Sequence, residues 1–153
     1  MSNQLVVFEL DARHYALPLT SVRRVARMVE VTPLPKAPEI VLGVIDLQGT
    51  IIPVMSMRKR FGLLEPEISL SDQLIVADTV TRSVAMVVNS VTGVVERTAE
   101  EITHAQKIVP GAQYVEGITR LEDGILFIHD LDLFLSKQEE EHLEGLLGQA
   151  AGQ

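Results

Sequence analysis

The chain has 153 residues, 46% of them hydrophobic, and a net charge of −8, so it has material for a core and is not a disordered polymer. The absence of cysteine excludes disulfides, thiolate metal sites and cysteine nucleophiles. The acidic balance, with four Phe, two Tyr and no Trp, argues against nucleic-acid binding by basic patches or aromatic stacking.

In chain order, Gln4–Asp11 is expected to be a strand and Tyr15–Leu19 its hairpin partner. Thr20 or Ser21 can cap a short helical turn over Val22–Arg27. Val29–Leu34 is expected to be extended, and Pro33, Pro35 and Pro38 make a stiff connector. Val41–Phe61 contains a hairpin turning at Gln48-Gly49, with Ile45, Leu47, Ile52 and Val54 inward and Asp46 and Gln48 outward. Arg58–Leu63 can form a turn of helix, and Leu64–Glu67 marks a break between halves.

In the second half, Gln73–Asp78 and Arg82–Val88 form a hairpin and Gly93–Thr98 a further strand. Ala99–Ala105 is expected to be a helical turn, with Thr98 as cap and Glu101 as its box partner. Pro110-Gly111 marks a loop. Tyr114–Arg120 and Gly124–His129 pair across a turn at Asp123-Gly124. Asp132 is read as the cap of a C-terminal helix carrying Leu131, Phe134, Leu135, Leu143, Leu146 and Leu147, and the final GQAAGQ as a frayed tail.

The second half repeats the first. At an offset of 69, QLVVFEL lies over QLIVADT and YALPLTSVRRV over VAMVVNSVTGV. At an offset of 74, GVIDLQGTIIPV lies over GITRLEDGILFI. Two copies of a small β unit imply an all-β protein of two antiparallel barrels. The boundaries expected are 1–66 for the first barrel subdomain, 67–135 for the second and 132–153 for the helix and tail. Strand exchange between the copies is left open.

No arrangement carries catalysis or metal binding. His14, His104, His129 and His142 form no HxH or HExxH pattern, and no P-loop, GxSxG or GxGxxG occurs. Glu139-Glu140-Glu141 is expected to be a solvated face. Charge is uneven: residues 13–60 carry eight Arg/Lys against three Asp/Glu, and residues 61–153 five against sixteen. The clusters Arg23-Arg24-Arg27 and Arg58-Lys59-Arg60 suit an acidic protein surface better than nucleic acid. No stretch approaches the roughly 18–20 apolar residues of a membrane helix, and MSNQLVVFELD lacks the basic start of a secretory signal. The chain is therefore expected to be cytoplasmic, with no direct membrane insertion and no cofactor.

From VTPLPKAPEI through VLGVIDLQGTIIPVMSMRKRFGL the sequence resembles the CheW family of chemotaxis scaffolds. Pro35, Pro38, Gly43, Leu47, Gly49, Pro53, Val54, Arg58, Phe61 and Gly62 match the family pattern. The resemblance continues through QLIVADTVTRSVAMVVNSVTGVVE and YVEGITRLEDGILFIHDLDLFL. It implies two intertwined five-stranded SH3-like β-barrels in a non-catalytic adaptor. The implied partners are the regulatory domain of a CheA-type histidine kinase and the helical tip of a chemoreceptor, the latter in the groove between barrels. The receptor-contact residues expected are Val22, Arg24, Val25, Gly43, Val44, Asp46 and Gln48. Gly43 would permit close backbone approach. Kinase contacts are not assigned to residues.

Three positions depart from the family. The NLRG arginine is Gln48, its usual acidic partner aligns with Arg24, and the DLR aspartate is Ser56. Arg24 could instead pair with Asp46, since a desolvated charge needs compensation. This suggests a divergent paralogue with altered receptor choice. A pilus or gene-expression pathway, and a ligand- or nucleic-acid-binding small barrel, are the alternatives.

Overall fold

The computed structural model describes residues 2–60, 68–104, 115–134 and 136–151. Its strands are β1 (Ser2–Leu10), β2 (Arg13–Pro18), β3 (Val22–Arg27), β4 (Val41–Leu47), β5 (Thr50–Met55), β6 (Gln73–Asp78), β7 (Ser83–Val88), β8 (Ser90–Thr98), β9 (Thr103–His104), β10 (Val115–Leu121) and β11 (Gly124–His129). Two α-helices are described, α1 (Met57–Arg60) and α2 (Lys137–Ala151). The strands form a five-stranded sheet, β3-β6-β7-β5-β4, and a six-stranded sheet, β8-β1-β2-β11-β10-β9.

The repeat explains this order. Its offsets lay β1, β2 and β3 over β6, β7 and β8, and β4 and β5 over β10 and β11. The five-stranded sheet then matches the first five strands of the other, position for position. The five-stranded sheet takes the hairpin β6–β7 from the second copy and three strands from the first, and the six-stranded sheet takes β1–β2 from the first copy and four strands from the second, so neither assembles from one copy alone. The sheets thus cut across residue 66, and the two copies are intertwined. Matching irregularities confirm the equivalence. β1 and β8 slip register at Val7/Phe8 and β3 and β6 at Val22/Arg24, while the parallel pairs Ala16–Ile128 and Ala85–Val54 correspond. The two-residue β9 has its counterpart in a single bridge. There the Thr32 N–H donates to the Val44 carbonyl at 2.9 Å, and the Val44 N–H donates back at 2.8 Å.

Strand alternation divides the apolar residues among three clusters. Leu74 and Val76 join Ile45, Ile52, Val54, Ala85 and Val87 inside the five-stranded sheet. Leu5, Val7, Ala16, Leu126 and Ile128 fill the other sheet. Ile75, Ala77, Val84 and Met86 meet Phe8, Leu10, Tyr15 and Leu17 in a shared central cluster, joined by Leu131, Phe134 and Leu143. This is why β6 and β7 are nearly continuous apolar runs: both of their faces are covered.

Several local expectations are corrected. Val22–Arg27 is strand β3, and the helical turn lies just before it, a 3-10 turn over Leu19–Ser21. Pairing with β6 and the β-branched Val22 and Val25 outweigh the capping signal of Thr20 and Ser21. β8 begins at Ser90, three residues before the expected start. The turn after Thr98 covers only Ala99–Glu101 before β9 resumes pairing with β10. Its capping box is as expected, with the Thr98 N–H donating to Glu101 Oε1 at 2.9 Å. That bond, the Thr98 hydroxyl and then Arg97 hold the Glu101 carboxyl below its ordinary value against slight desolvation.

Asp132 does not cap the C-terminal helix. Its Oδ1 accepts the Val80 N–H at 2.8 Å, and Asp130 caps a 3-10 turn over Leu131–Leu133. The helix is capped by Ser136, whose Oγ accepts the Glu139 N–H at 3.1 Å while Glu139 Oε1 accepts the Ser136 N–H at 2.8 Å. Ser136-Lys-Gln-Glu139 is a capping box that the Asp132 reading passed over. The helix also continues to Ala151, through most of the expected frayed tail. Phe61–Leu63, Leu64–Glu67, Ala105, Pro110-Gly111, Tyr114, Leu135 and the last two residues lie outside the described residues.

The acidic run is not merely solvated. Arg60 Nη2 donates to Glu139 Oε1 at 2.5 Å, Arg82 Nε donates to Glu140 Oε1 at 2.7 Å, and Arg82 also binds Glu144. Burial pulls the Glu139 carboxyl upward, but the Ser136 N–H and Arg60 more than offset it, leaving the group below its ordinary value. Arg58 is buried and donates from Nε to Asp11 Oδ1 at 3.0 Å. The second basic cluster is therefore partly structural: Arg58 and Arg60 fasten the chain to itself.

Candidate functional site: a polar pair at a barrel mouth

The expected site residues fall on β3 and on the β4–β5 hairpin. In β3, Val22 faces Ala77 and Val25 faces Ile75, both partners in the central cluster, which puts the two valines on the inter-sheet side. Arg24 faces Val76 of the five-stranded sheet's own core. The register slip between Val22 and Arg24 makes Arg23 the extra residue, and Arg23 Nη1 donates to Ser83 Oγ at 3.0 Å. The strand therefore splits the set: Val22 and Val25 on one side, Arg24 at the rim of the barrel on the other.

The hairpin tip meets Arg24. Gln48 and Gly49 both have positive φ, 53° and 88°, as a two-residue hairpin turn requires. Asp46 Oδ1 accepts the Gly49 N–H at 2.8 Å and so pins the turn. Gln48 Oε1 then accepts from Arg24 Nη1 at 3.4 Å. Arg24 thus contacts Gln48, the residue at the family arginine's position, while Asp46 is engaged by the turn. Ser56, standing where the family has aspartate, is buried and accepts the Lys59 N–H at 3.0 Å within α1.

Gly43 is buried, and its close approach is to the chain itself. A Cβ there would lie 2.3 Å from the Thr32 carbonyl oxygen. Val44 is half-buried with its backbone bonded to Thr32. Asp46 and Gln48 are exposed, and Ile45, Ile52 and Val54 are buried with Leu47 packed against them. One exposed apolar residue escaped the sequence reading. Ile51 pairs directly with Asp46 and is 54% exposed. The two-residue turn fixes that pairing, so the register alone could have found it.

Among the described residues, no group of three or more His, Asp or Glu side chains is placed to hold a metal. His129 is buried between the rings of Tyr15 and Phe134, with centroids 5.2 and 5.6 Å away. A cleft of about 600 Å³ on the six-stranded sheet is floored by Leu5, Ile102 and Ile128 and rimmed by His104 and Glu116. Burial, then Asp130, raises the Glu116 carboxyl, with His104 opposing. No helix among the described residues is long and apolar enough to cross a membrane.

Two strand-exchanged sheets bring β3 and the β4–β5 hairpin together, with polar and apolar side chains exposed on both. The chain belongs to the CheW-like domain family, whose model matches residues 4–139. It is 25% identical over 149 residues to the chemotaxis protein CheW of Treponema pallidum, covering 94% of this chain and 88% of that protein. It is 28% identical over 140 residues to the CheW of Bacillus subtilis, covering 90% of each. The crystal structure of the scaffolding protein TtCheW from Thermoanaerobacter tengcongensis superposes with a TM-score of 0.81 at 28% identity, covering 91% of this chain and 96% of that one. The mostly-β fold and the chemotaxis scaffold class are those of this family.

Proposed function

We propose that the chain is a non-catalytic adaptor coupling chemoreceptors to a CheA-type histidine kinase, working at the cytoplasmic ends of receptor arrays. Its partners on this reading are the kinase regulatory domain and the receptor's helical tip. The receptor surface comprises Val22 and Val25 on the inter-sheet side of β3, with Arg24, Val44, Asp46 and Gln48 around the hairpin. Gly43 serves it indirectly, by letting Thr32 hold the hairpin in place.

The observation that carries the residue-level proposal is the Arg24–Gln48 contact. Both positions differ from the family pattern, yet they still meet. The family's acidic–basic pair is replaced by a basic–neutral one, which changes the charge shown to a partner and favours a different receptor. Complementary charges select partners and suppress wrong ones. The test is a pull-down on a conventional chemoreceptor tip. The native chain should bind weakly, and the double variant Arg24→Glu, Gln48→Arg should bind about tenfold or more tightly, the scale of about 1.4 kcal/mol. Conventional affinity in the native chain, unchanged in the double variant, would sink this assignment.

A further inference from the structure

The repeat gives the six-stranded sheet a mouth equivalent to the one at Arg24. Gly93 pairs with Val7 as Arg24 pairs with Val76, each beside the register slip. Across the mouth, Glu122 stands where Gln48 stands in the first copy. The two mouths are filled differently. In one, the Arg24 side chain reaches the hairpin turn and donates to Gln48. In the other, Gly93 has no side chain, and a Cβ built on it would have nothing within 4 Å. A cavity of about 250 Å³ remains, walled by Val7, Val94, Val95 and Leu121, with His14, Glu122 and Asp123 at its edge.

We propose that this cavity is a binding site for an arginine side chain presented by an exposed segment of a partner protein. The first copy supplies the template: at the paired position beside the register slip, an arginine guanidinium bonds the turn residue. In the second copy the arginine is missing, and the turn residue has become a carboxylate. A guanidinium entering from outside would meet a carboxylate where the first copy's arginine donates to a neutral amide, so that both partners of the hydrogen bond carry charge. Arginine suits the site better than lysine, because its planar fork can bond a carboxylate through two N–H groups. The alkyl stem would lie against Val95 and Leu121, which share the Gly93 side of the sheet and are only partly buried. The assignment does not depend on the receptor surface proposed for the other mouth.

The full chain, labelled with ¹⁵N, is titrated with an acetylated peptide copying residues 21–27, SVRRVAR, and with twins carrying lysine or citrulline at every arginine. The expected result is saturable shifts confined to His14, Thr92–Val95 and Leu121–Asp123, with the lysine twin at least fivefold weaker and citrulline weaker still. Glu122→Gln, an exposed turn substitution that recreates the neutral residue of the other mouth, should weaken the arginine peptide at least fivefold. Shifts spread over the acidic surface of α2, equal binding of the lysine twin, an unaffected Glu122→Gln variant, or no saturable binding would each overturn the proposal.

Discussion

Gly43→Ala is expected to lower the stability of the fold by about 3 kcal/mol, the upper part of the usual range for forcing an atom into a packed site. The added Cβ would meet the backbone of Thr32, its carbonyl oxygen at 2.3 Å and its carbonyl carbon at 2.8 Å. Backbone cannot rotate aside as a side chain can. The same carbonyl accepts the Val44 N–H, so relieving the clash also strains the bridge that ties the proline connector to β4. The equivalent substitution in the second copy, Gly117→Ala, should cost less, because its nearest obstacle is the Ile102 Cγ2 methyl at 2.7 Å, on a side chain that can shift. Gly145→Ala in α2 should go the other way and stabilise by up to about 1 kcal/mol, since nothing lies within 4 Å and alanine favours helix. Urea unfolding of the three variants checks the order; equal costs for Gly43 and Gly117 would remove the distinction drawn between backbone and side-chain obstacles.

Leu143→Ala is expected to cost about 2–5 kcal/mol. Leu143 is fully buried in the central cluster shared by the two sheets, so its loss leaves a cavity where the two copies and α2 meet. The helix is also held by Glu139, Glu140 and Glu144 on Arg60 and Arg82. The Glu139 contact gives its docking a definite pH dependence. The folded-state carboxyl of Glu139 lies below its unfolded value, so its contribution is present above the ordinary carboxylate pKa and is lost as pH falls through the folded value. The native chain should therefore lose its Tm advantage over Glu139→Gln on acidification, whereas the Leu143→Ala deficit should persist across the same range. Thermal unfolding of the native and variant chains as a function of pH separates the two contributions.

Much of this architecture was legible in the residues because repetition and register are properties of the chain. The offsets of 69 and 74 anticipated equivalent strands, and Gln48-Gly49 fixed the hairpin on which Asp46 and Gln48 face outward. What was not legible came from long-range contacts. Val22–Arg27 becomes a strand only because β6, some fifty residues away, lies beside it. The glutamates of α2 are polar by composition, and only the fold brings Arg60 and Arg82 to them. Gly43 is expected from the sequence to allow close approach at the receptor-contact surface, whereas the backbone that approaches it is Thr32, eleven residues earlier in the chain, which no local pattern indicates. The resemblance located Arg24 and Gln48 as the departures from the family; their contact, and the opposite filling of the equivalent mouth, required the geometry.

The adaptor role is tested most directly by capturing the tagged chain from its native cells and identifying the proteins that come with it. A CheA-type histidine kinase and a chemoreceptor are expected to be recovered together, and Arg24→Glu is expected to change the receptors recovered without losing the kinase. Recovery of neither partner from cells that express both would contradict that role.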